Sequence, residues 1–304
     1  MRIASSQFQA SMNRSLQINQ GVIAKLTEQM ATGNKIQVPS DEPIANVRLS
    51  RLRREENIVS QYIENIDAVK IRLSKNETYL TSMVNDMGAA RDLFVWASDG
   101  SNTTADLNSM VNSLTSLRDS LFFNGNTLDQ EGKYIFSGTA TGTPALTMNA
   151  AAAPGARYSF SGNNNTQEVV VGNGITQPAN VTVDGMDDYL NQLDKAIDLL
   201  SQPTASASNP ALQAALKAAL DGTDTAVNLV SGKIAQFGGA QNVMETLANN
   251  HSNVSLSNKI AITDIAQLDY GLAATQLSGY NSALQATYQA YAKVSNLSLF
   301  NVIS

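Results

Sequence analysis

One histidine, His251, stands in Asn249-Asn250-His251-Ser252-Asn253, and the chain has no cysteine. A zinc site or a His-based nucleophilic triad needs partners that this composition does not place beside it. His251 is therefore expected to be an exposed structural histidine. Disulfides, thiol nucleophiles and thiolate metal ligands are excluded outright. The carboxylate pairs Asp187-Asp188 and Glu55-Glu56 lie on expected helices, where adjacent side chains point apart and cannot share acid–base work. Gly172-Asn173-Gly174 gives a turn, but it lacks the strand-then-helix context and the lysine of a phosphate loop. Tyr280, Tyr288 and Tyr291 fall on a helical segment and read as interface packing rather than a stacking platform. Arg48, Arg51, Arg53 and Arg54 form one basic cluster, followed at once by Glu55 and Glu56 and interleaved with no aromatic. In a chain of net charge −6 and pI about 4.8, that reads as a solvated or lattice-contact helix face, not a nucleic-acid footprint. No catalytic, cofactor-binding or metal-binding residue is assigned, and an enzyme is not expected.

The elements that hold these residues are mostly helical. Near the N-terminus, Met12, Leu16, Asn19, Ile23, Leu26 and Met30 recur at alternating steps of four and three. Ile265, Leu268, Leu272 and Thr275, then Leu277, Asn281, Leu284, Tyr288 and Tyr291, read as a matching C-terminal seam. Such spacing draws one stripe along a helix, the seam of a coiled coil. The other faces carry Gln, Asn, Ser, Thr and Ala where a solitary soluble helix carries Lys and Glu. Charged residues are 15% of the chain, against about 25% in ordinary globular proteins. These helices are expected to pack on several sides, which points toward polymerisation.

Helix one is expected from about residue 4 to Thr32, with Gly33 as its left-handed stop. A polar connector, Asn34 to Pro43, follows; Ser40 or Asp41 is the candidate cap and Pro43 suits the first turn of the next helix. Leu52, Val59, Tyr62, Ile66, Val69, Leu73, Asn76, Leu80, Met83, Met87, Ala90 and Phe94 then keep a heptad register with one polar interruption. At 1.5 Å per residue that element is a rod of roughly 80 Å, too long to be stable unless it packs along others. Another helix is expected from Thr103 or Thr104 to Phe123. Strands are expected at Lys133–Phe136, Arg157–Phe160, Glu168–Val171 and Val181–Val183. Helices return at Leu190–Leu200 and from Leu212 onward, with Gly238-Gly239 inside the run and no break before the C-terminal seam.

The fold class is thus mainly α with a small β-rich insertion, a long antiparallel coiled-coil bundle made by the N- and C-terminal segments. Residues 1–33 and 265–304 are assigned to terminal coiled-coil helices, 34–130 and 186–264 to a long bundle, and 131–185 to an outward-facing β insertion dispensable for assembly. The start, Met1-Arg2-Ile3-Ala4-Ser5-Ser6-Gln7-Phe8, lacks the apolar run of a cleavable signal. The chain is expected to stay in the cytoplasm or to leave by a route that cleaves no signal.

Several segments carry a family resemblance. Leu26-Thr27-Glu28-Gln29-Met30-Ala31-Thr32-Gly33-Asn34-Lys35-Ile36 resembles the close of the N-terminal helix in the flagellin family. Asp264-Ile265-Ala266, Gln276-Leu277 and Leu284-Gln285-Ala286 are similar to that family's C-terminus. Pro39-Ser40-Asp41-Glu42-Pro43, Gly132-Lys133-Tyr134-Ile135-Phe136-Ser137-Gly138 and Val294-Ser295-Asn296-Leu297-Ser298-Leu299-Phe300-Asn301 resemble the family's hook–filament junction members rather than its filament subunit. The resemblance implies a secreted structural component of the bacterial flagellum, a homo-oligomeric ring in the flagellar lattice. It implies the hook-associated protein FlgK and flagellin as neighbours, type III export unfolded with the chaperone FlgN, and neither nucleic acid nor membrane insertion. The competing readings are a flagellin proper and a type III secreted tip or translocator protein, the latter lacking its apolar hairpin here. Gly33, Pro39 and Pro43 are read either as a hinge between the terminal helix and the rod or as parts of an ordinary interhelix connector.

Overall fold

The computed structural model describes the backbone of residues 2–303 and the side chains of residues 7–293. The elements in chain order are α1 (Arg2–Thr32), α2 (Pro43–Ala97), α3 (Thr104–Gly125), β1 (Leu146–Met148), β2 (Tyr158–Phe160), β3 (Glu168–Gly172), β4 (Ile175–Pro178), α4 (Met186–Leu200), α5 (Pro210–Ala266) and α6 (Tyr270–Ile303). They form two compact units, Met1–Val59 with Asn253–Ser304, and Ser60–Ser252.

In the second unit the heptad of α2 is the spine. Ile66, Val69, Leu73, Leu80, Met83, Met87, Ala90, Phe94 and Ala97 are all buried, at alternating steps of three and four apart from Asn76. Asn76 is buried too, between Leu73 and Leu80, and its Nδ2 finds no hydrogen-bond partner. A polar group in such a seam fixes register at a cost in stability. α5 runs antiparallel beside α2. Arg91 Nε meets Asp224 Oδ1 at 3.2 Å, Gln241 Nε2 donates to Glu77 Oε2 at 3.2 Å, and the Tyr62 and His251 rings lie 5.3 Å apart. Gly238 and Gly239 leave α5 unbroken, as expected. A backbone helix needs no Cβ there, and Phe237 and Met244 on either side are buried.

α3 starts with a capping box. Thr103 Oγ1 accepts from the Asp106 N–H at 3.3 Å, and Asp106 Oδ2 accepts from the Thr103 N–H at 3.0 Å. Its stripe Leu107, Met110, Leu114 and Leu121 is buried in the same cluster as Tyr189, Leu190, Leu193, Ile197 and Leu200 of α4.

The β part differs from the sequence reading. Two antiparallel two-stranded ribbons form, β1–β2 and β3–β4, the second closed through Asn173 and Gly174. Lys133–Phe136 makes only an isolated bridge from Tyr134 to Leu128, and Thr182 only one to Ser137. The N–H groups of Tyr134 and Ile135 instead go to Thr141 O and Thr127 O, seven and eight residues away. Nor does this part stand apart from the helices. Phe136, Leu146, Tyr158, Val171 and Val183 belong to one buried cluster with α2, α3, α4 and α5. α4 also ties down β2: Asp187 Oδ2 accepts from the Phe160 N–H at 3.0 Å, while Asn191 exchanges two 2.8 Å bonds with the Tyr158 backbone. Residues 142–182 thus contribute buried side chains to that core, where the sequence leads one to expect an outward-facing insertion dispensable for assembly.

Truncating Leu73, fully buried on the α2 seam, to alanine should cost about 2–5 kcal/mol. The same change at exposed Lys75 should cost less than about 0.5 kcal/mol. Thermal unfolding of both variants checks the register, and equal shifts would contradict it.

Candidate functional site

The first unit brings the chain ends together. α1 halts at Thr32 because Gly33 takes a left-handed φ of +71°, and its N–H closes on Gln29 O at 2.8 Å. Gly33 O then accepts from the Leu268 N–H at 2.9 Å, and the Lys35 N–H donates to Ala266 O at 2.8 Å. Asn34 and Gln267 form an antiparallel bridge between those two bonds. A Cβ on Gly33 would lie 3.0 Å from the Tyr270 hydroxyl. From this clasp α1 and α6 run antiparallel, and Gln20 Nε2 donates to the Tyr288 hydroxyl at 3.0 Å further along.

On α1 the stripe facing α6 is Met12, Leu16, Asn19, Ile23, Leu26 and Met30, Leu26 buried and the others half-buried. On α6 the covered positions are Ala273, Leu277, Tyr280, Leu284, Thr287 and Tyr291. Their steps are a clean alternation of four and three, but the register is not the one read from sequence. Leu272 is 58% exposed and Tyr288 47%. Thr275 and Asn281 are exposed as well, while Ile265 and Leu268 are half-buried at the end of α5 and in the clasp. The reason is a break: α5 ends at Ala266 and α6 restarts at Tyr270. Asp269 caps the new helix, with Oδ1 accepting from the Leu272 N–H at 3.0 Å and its carbonyl from the Ala273 N–H at 2.9 Å. The aspartate ahead of an apolar run was the signal in the sequence for a fresh register. On α2, Leu52 and Tyr62 are half-buried and the remaining rod positions, Val59 through Phe94, are buried. The C-terminal motif from Val294 lies outside the described side chains.

The connector is pinned. Asp41 does not cap α2; its Oδ1 meets Lys25 Nζ at 2.6 Å, and its Oδ2 accepts from the Gln37 and Val38 N–H groups at 3.1 and 3.2 Å. The Lys25 ammonium first, then the Val38 and Gln37 amides, hold this carboxyl below the ordinary aspartate value of 3.8. Gln29 Nε2 donates to Lys35 O at 2.5 Å, Gln37 Nε2 to Thr32 Oγ1 and to Asn34 O, and Lys35 Nζ pairs with Glu42 at 2.8 Å. Pro43 opens α2, and Pro39 sits exposed within the connector. None of these glutamine and aspartate contacts was legible beforehand, because each depends on how the connector folds back over the end of α1.

Elsewhere, polar groups are engaged structurally. His251 is half-buried, not exposed, with Nε2 2.9 Å from Val171 O and its ring on Tyr62. Asp194, 1% exposed, takes Arg118 Nη1 at 3.1 Å, Arg157 Nη1 at 3.3 Å and the Gly155 N–H at 3.1 Å. Such a charge is stable in a core only when its oxygens are paired this way. Among the described residues no group of three or more His, Asp or Glu is spaced to hold a metal, and no helix is long and apolar enough to cross a membrane.

What remains conspicuous is the outward surface of the α1–α6 pair. Residues 7–24 contain one charge, Arg14, and residues 270–292 contain none. Phe8, Ile18, Leu272 and Tyr288 stand exposed there. Such a low-charge helical pair with apolar side chains left open suits a structural protein rather than an enzyme pocket. Comparisons with known proteins place the chain in a family. Residues 3–141 match the bacterial flagellin N-terminal helical region. Over 99% of its length the chain is 28% identical to flagellar hook-associated protein 3 of Escherichia coli (strain K12), of which it covers 99%. A solved Vibrio parahaemolyticus structure, provisionally described as a flagellar hook-associated protein, is 33% identical with a TM-score of 0.68; the match covers 75% of this chain and 100% of that one. The flagellar junction protein FlgL of Legionella pneumophila shares the fold at 14% identity, with a TM-score of 0.56 over 66% of this chain and 99% of that one. The chain belongs to the flagellin family, among its hook-associated proteins, and is a structural component of the bacterial flagellum.

Asp41 gives this site a pH signature. A carboxyl held below its unfolded value stabilises the fold above that value and loses the effect as pH falls through the lower folded one. Intrinsic-rate-corrected amide exchange at Gln37 and Val38 should therefore be well protected near pH 6 and lose protection on acidification below about 3.8. In Asp41→Asn that acid-dependent step should vanish; an unchanged step would assign it to another group.

Proposed function

We propose that this protein joins the hook-associated ring of the flagellum to the flagellin filament. It does so as a ring of its own copies, with FlgK on one side and flagellin on the other, and it acts by assembly rather than by catalysis. The observation that carries this reading is the end-to-end alignment with hook-associated protein 3, which leaves no segment of either chain unmatched on a large scale. Export through the flagellar type III route with FlgN as escort belongs to the same proposal, and the absence of cysteine in the sequence suits a chain that folds after export.

The terminal pair is the proposed assembly surface: Met12, Leu16, Ile23, Leu26 and Met30 hold α1 to α6, and the exposed Ile18, Leu272 and Tyr288 are left for neighbouring copies. The connector is the proposed hinge, with Gly33 supplying the turn and Pro39 and Pro43 limiting the range. Its ties through Asp41, Gln29 and Gln37 set the rest angle.

A deletion strain tests the reading. Loss of the gene should leave hooks without filaments and flagellin free in the medium, and the parent chain should restore filaments. A chain lacking residues 1–32 should be made but fail to restore them. Normal filaments in the deletion strain, or on the truncated chain alone, would overturn the reading. The double change Pro39→Gly and Pro43→Gly should leave the monomer folded and make filaments shed under shear; retention equal to the parent would reduce the hinge to an ordinary connector.

A further inference from the structure

The first unit has two faces that its own packing leaves open. Near its start α2 turns Leu49, Leu52, Glu56 and Val59 inward toward α5. Glu56 Oε1 accepts from Ser255 Oγ at 2.6 Å and pairs with Lys259 Nζ at 3.3 Å. On the opposite side Ile44, Val47, Arg51, Arg54 and Ile58 follow steps of three and four, the spacing of a coiled-coil seam with nothing against it. Ile44 is 89% exposed. α5 repeats the situation. Ser255, Asn258, Ile262 and Ile265 face inward, while Asn253, Leu256, Ile260 and Asp264 line the outer side, along a shallow groove floored by Ser257 and Ala261. Leu256 and Ile260 are more than half exposed. Arg51, Arg54 and Asp264 have no ion-pair partner among the described residues.

We propose that these faces are the two halves of one contact between copies: the α2 stripe of one chain docks in the α5 groove of the next. This rests on the proposed self-assembly and names the surfaces that perform it. Three observations select a second copy as the occupant. The stripes are of similar length: at 1.5 Å per residue, Ile44 to Ile58 spans about 21 Å and Asn253 to Asp264 about 17 Å. Each carries branched aliphatics for the other's apolar positions, and their charges are opposite, arginine on α2 and aspartate on α5. The two faces lie on opposite sides of the α2–α5 pair, so one chain cannot satisfy itself. Pairing two α2 faces would set Arg51 and Arg54 against their own copies. A contact between unlike faces repeats head to tail and closes into a ring or runs on as a filament.

Cysteine pairing tests this, because the chain has no cysteine of its own. The full-length Ile58→Cys/Leu256→Cys variant, expressed in the deletion strain, is oxidised in isolated flagella. The expected result is a ladder at multiples of the 32.4 kDa chain, with each single variant monomeric. A dimer from Ile58→Cys alone, or no ladder from flagella that carry filaments, overturns the proposal. If the double variant carries no filaments, charge reversal decides. Arg51→Glu/Arg54→Glu should fold like the parent by circular dichroism and reduce filament number at least tenfold, and adding Asp264→Arg should restore part of the loss. Parental filament number in the Arg51→Glu/Arg54→Glu strain refutes this interface while the junction reading stands. Failure of the parent chain itself to restore filaments removes both.

Discussion

The clasp between Gly33 and Leu268 is the constraint on which the first unit depends. It joins the end of α1 to the start of α6 by two backbone hydrogen bonds flanking an isolated bridge, where two polar turns would otherwise stay solvated. Glycine suits the left-handed backbone at Gly33, and a Cβ there would press the Tyr270 hydroxyl at 3.0 Å. From that point α1 and α6 run antiparallel, tied again by Gln20 and Tyr288. Their half-buried stripes meet, and the low-charge outer faces turn away. The connector's ties to Lys25, Gln29 and Thr32 hold the clasp in place from the other side.

The energetic character of the two units differs. In Ser60–Ser252 the α2 heptad is buried in one cluster with side chains of α3, α4, α5 and the β part, and Leu73, Leu80, Met83, Met87 and Phe94 have no exposed surface. That part has the makings of a stable monomeric fold. In the first unit only Leu26, Leu49, Val59, Ala266 and Ala273 are buried hydrophobics among the described side chains. Most of its apolar stripes remain half-covered. Residues that stay half-wet in one copy would gain burial against a neighbour, which is the physical basis of the proposed assembly.

Much of this was legible in the sequence, for identifiable reasons. The α2 heptad and the Gly33 stop rest on strong, local signals, a sustained 3.5-residue period and a glycine ending it. The start of α3 falls at Thr104, as expected, and the structure adds the Thr103–Asp106 box that fixes it. The C-terminal register differs from the one the periodicity predicts because the helix breaks at Gln267-Leu268-Asp269 and restarts at Tyr270. Leu272 and Tyr288 therefore moved to the outside, and Ala273, Tyr280 and Thr287 took the seam. Lys133–Phe136 looked like a strand because its residues favour extended backbone, yet no partner strand lies in register with it. β1 and β4, three and four residues long, are too short to show alternation. His251 became half-buried because Val171, distant in sequence, brings a carbonyl to it. The Asp41 latch and the Asp194 cluster depend likewise on long-range approach, which periodicity does not encode.

The central claim is that the open faces of the α1–α6 pair are assembly surfaces. A density map of intact flagella at the hook–filament junction, at a resolution that places side chains, tests it directly. The account predicts Ile18, Leu272 and Tyr288 buried against neighbouring copies, with α1 and α6 still antiparallel and clasped at Gly33 and Leu268. A map in which those three side chains face solvent, or in which α1 and α6 part to pair with other chains, would contradict it.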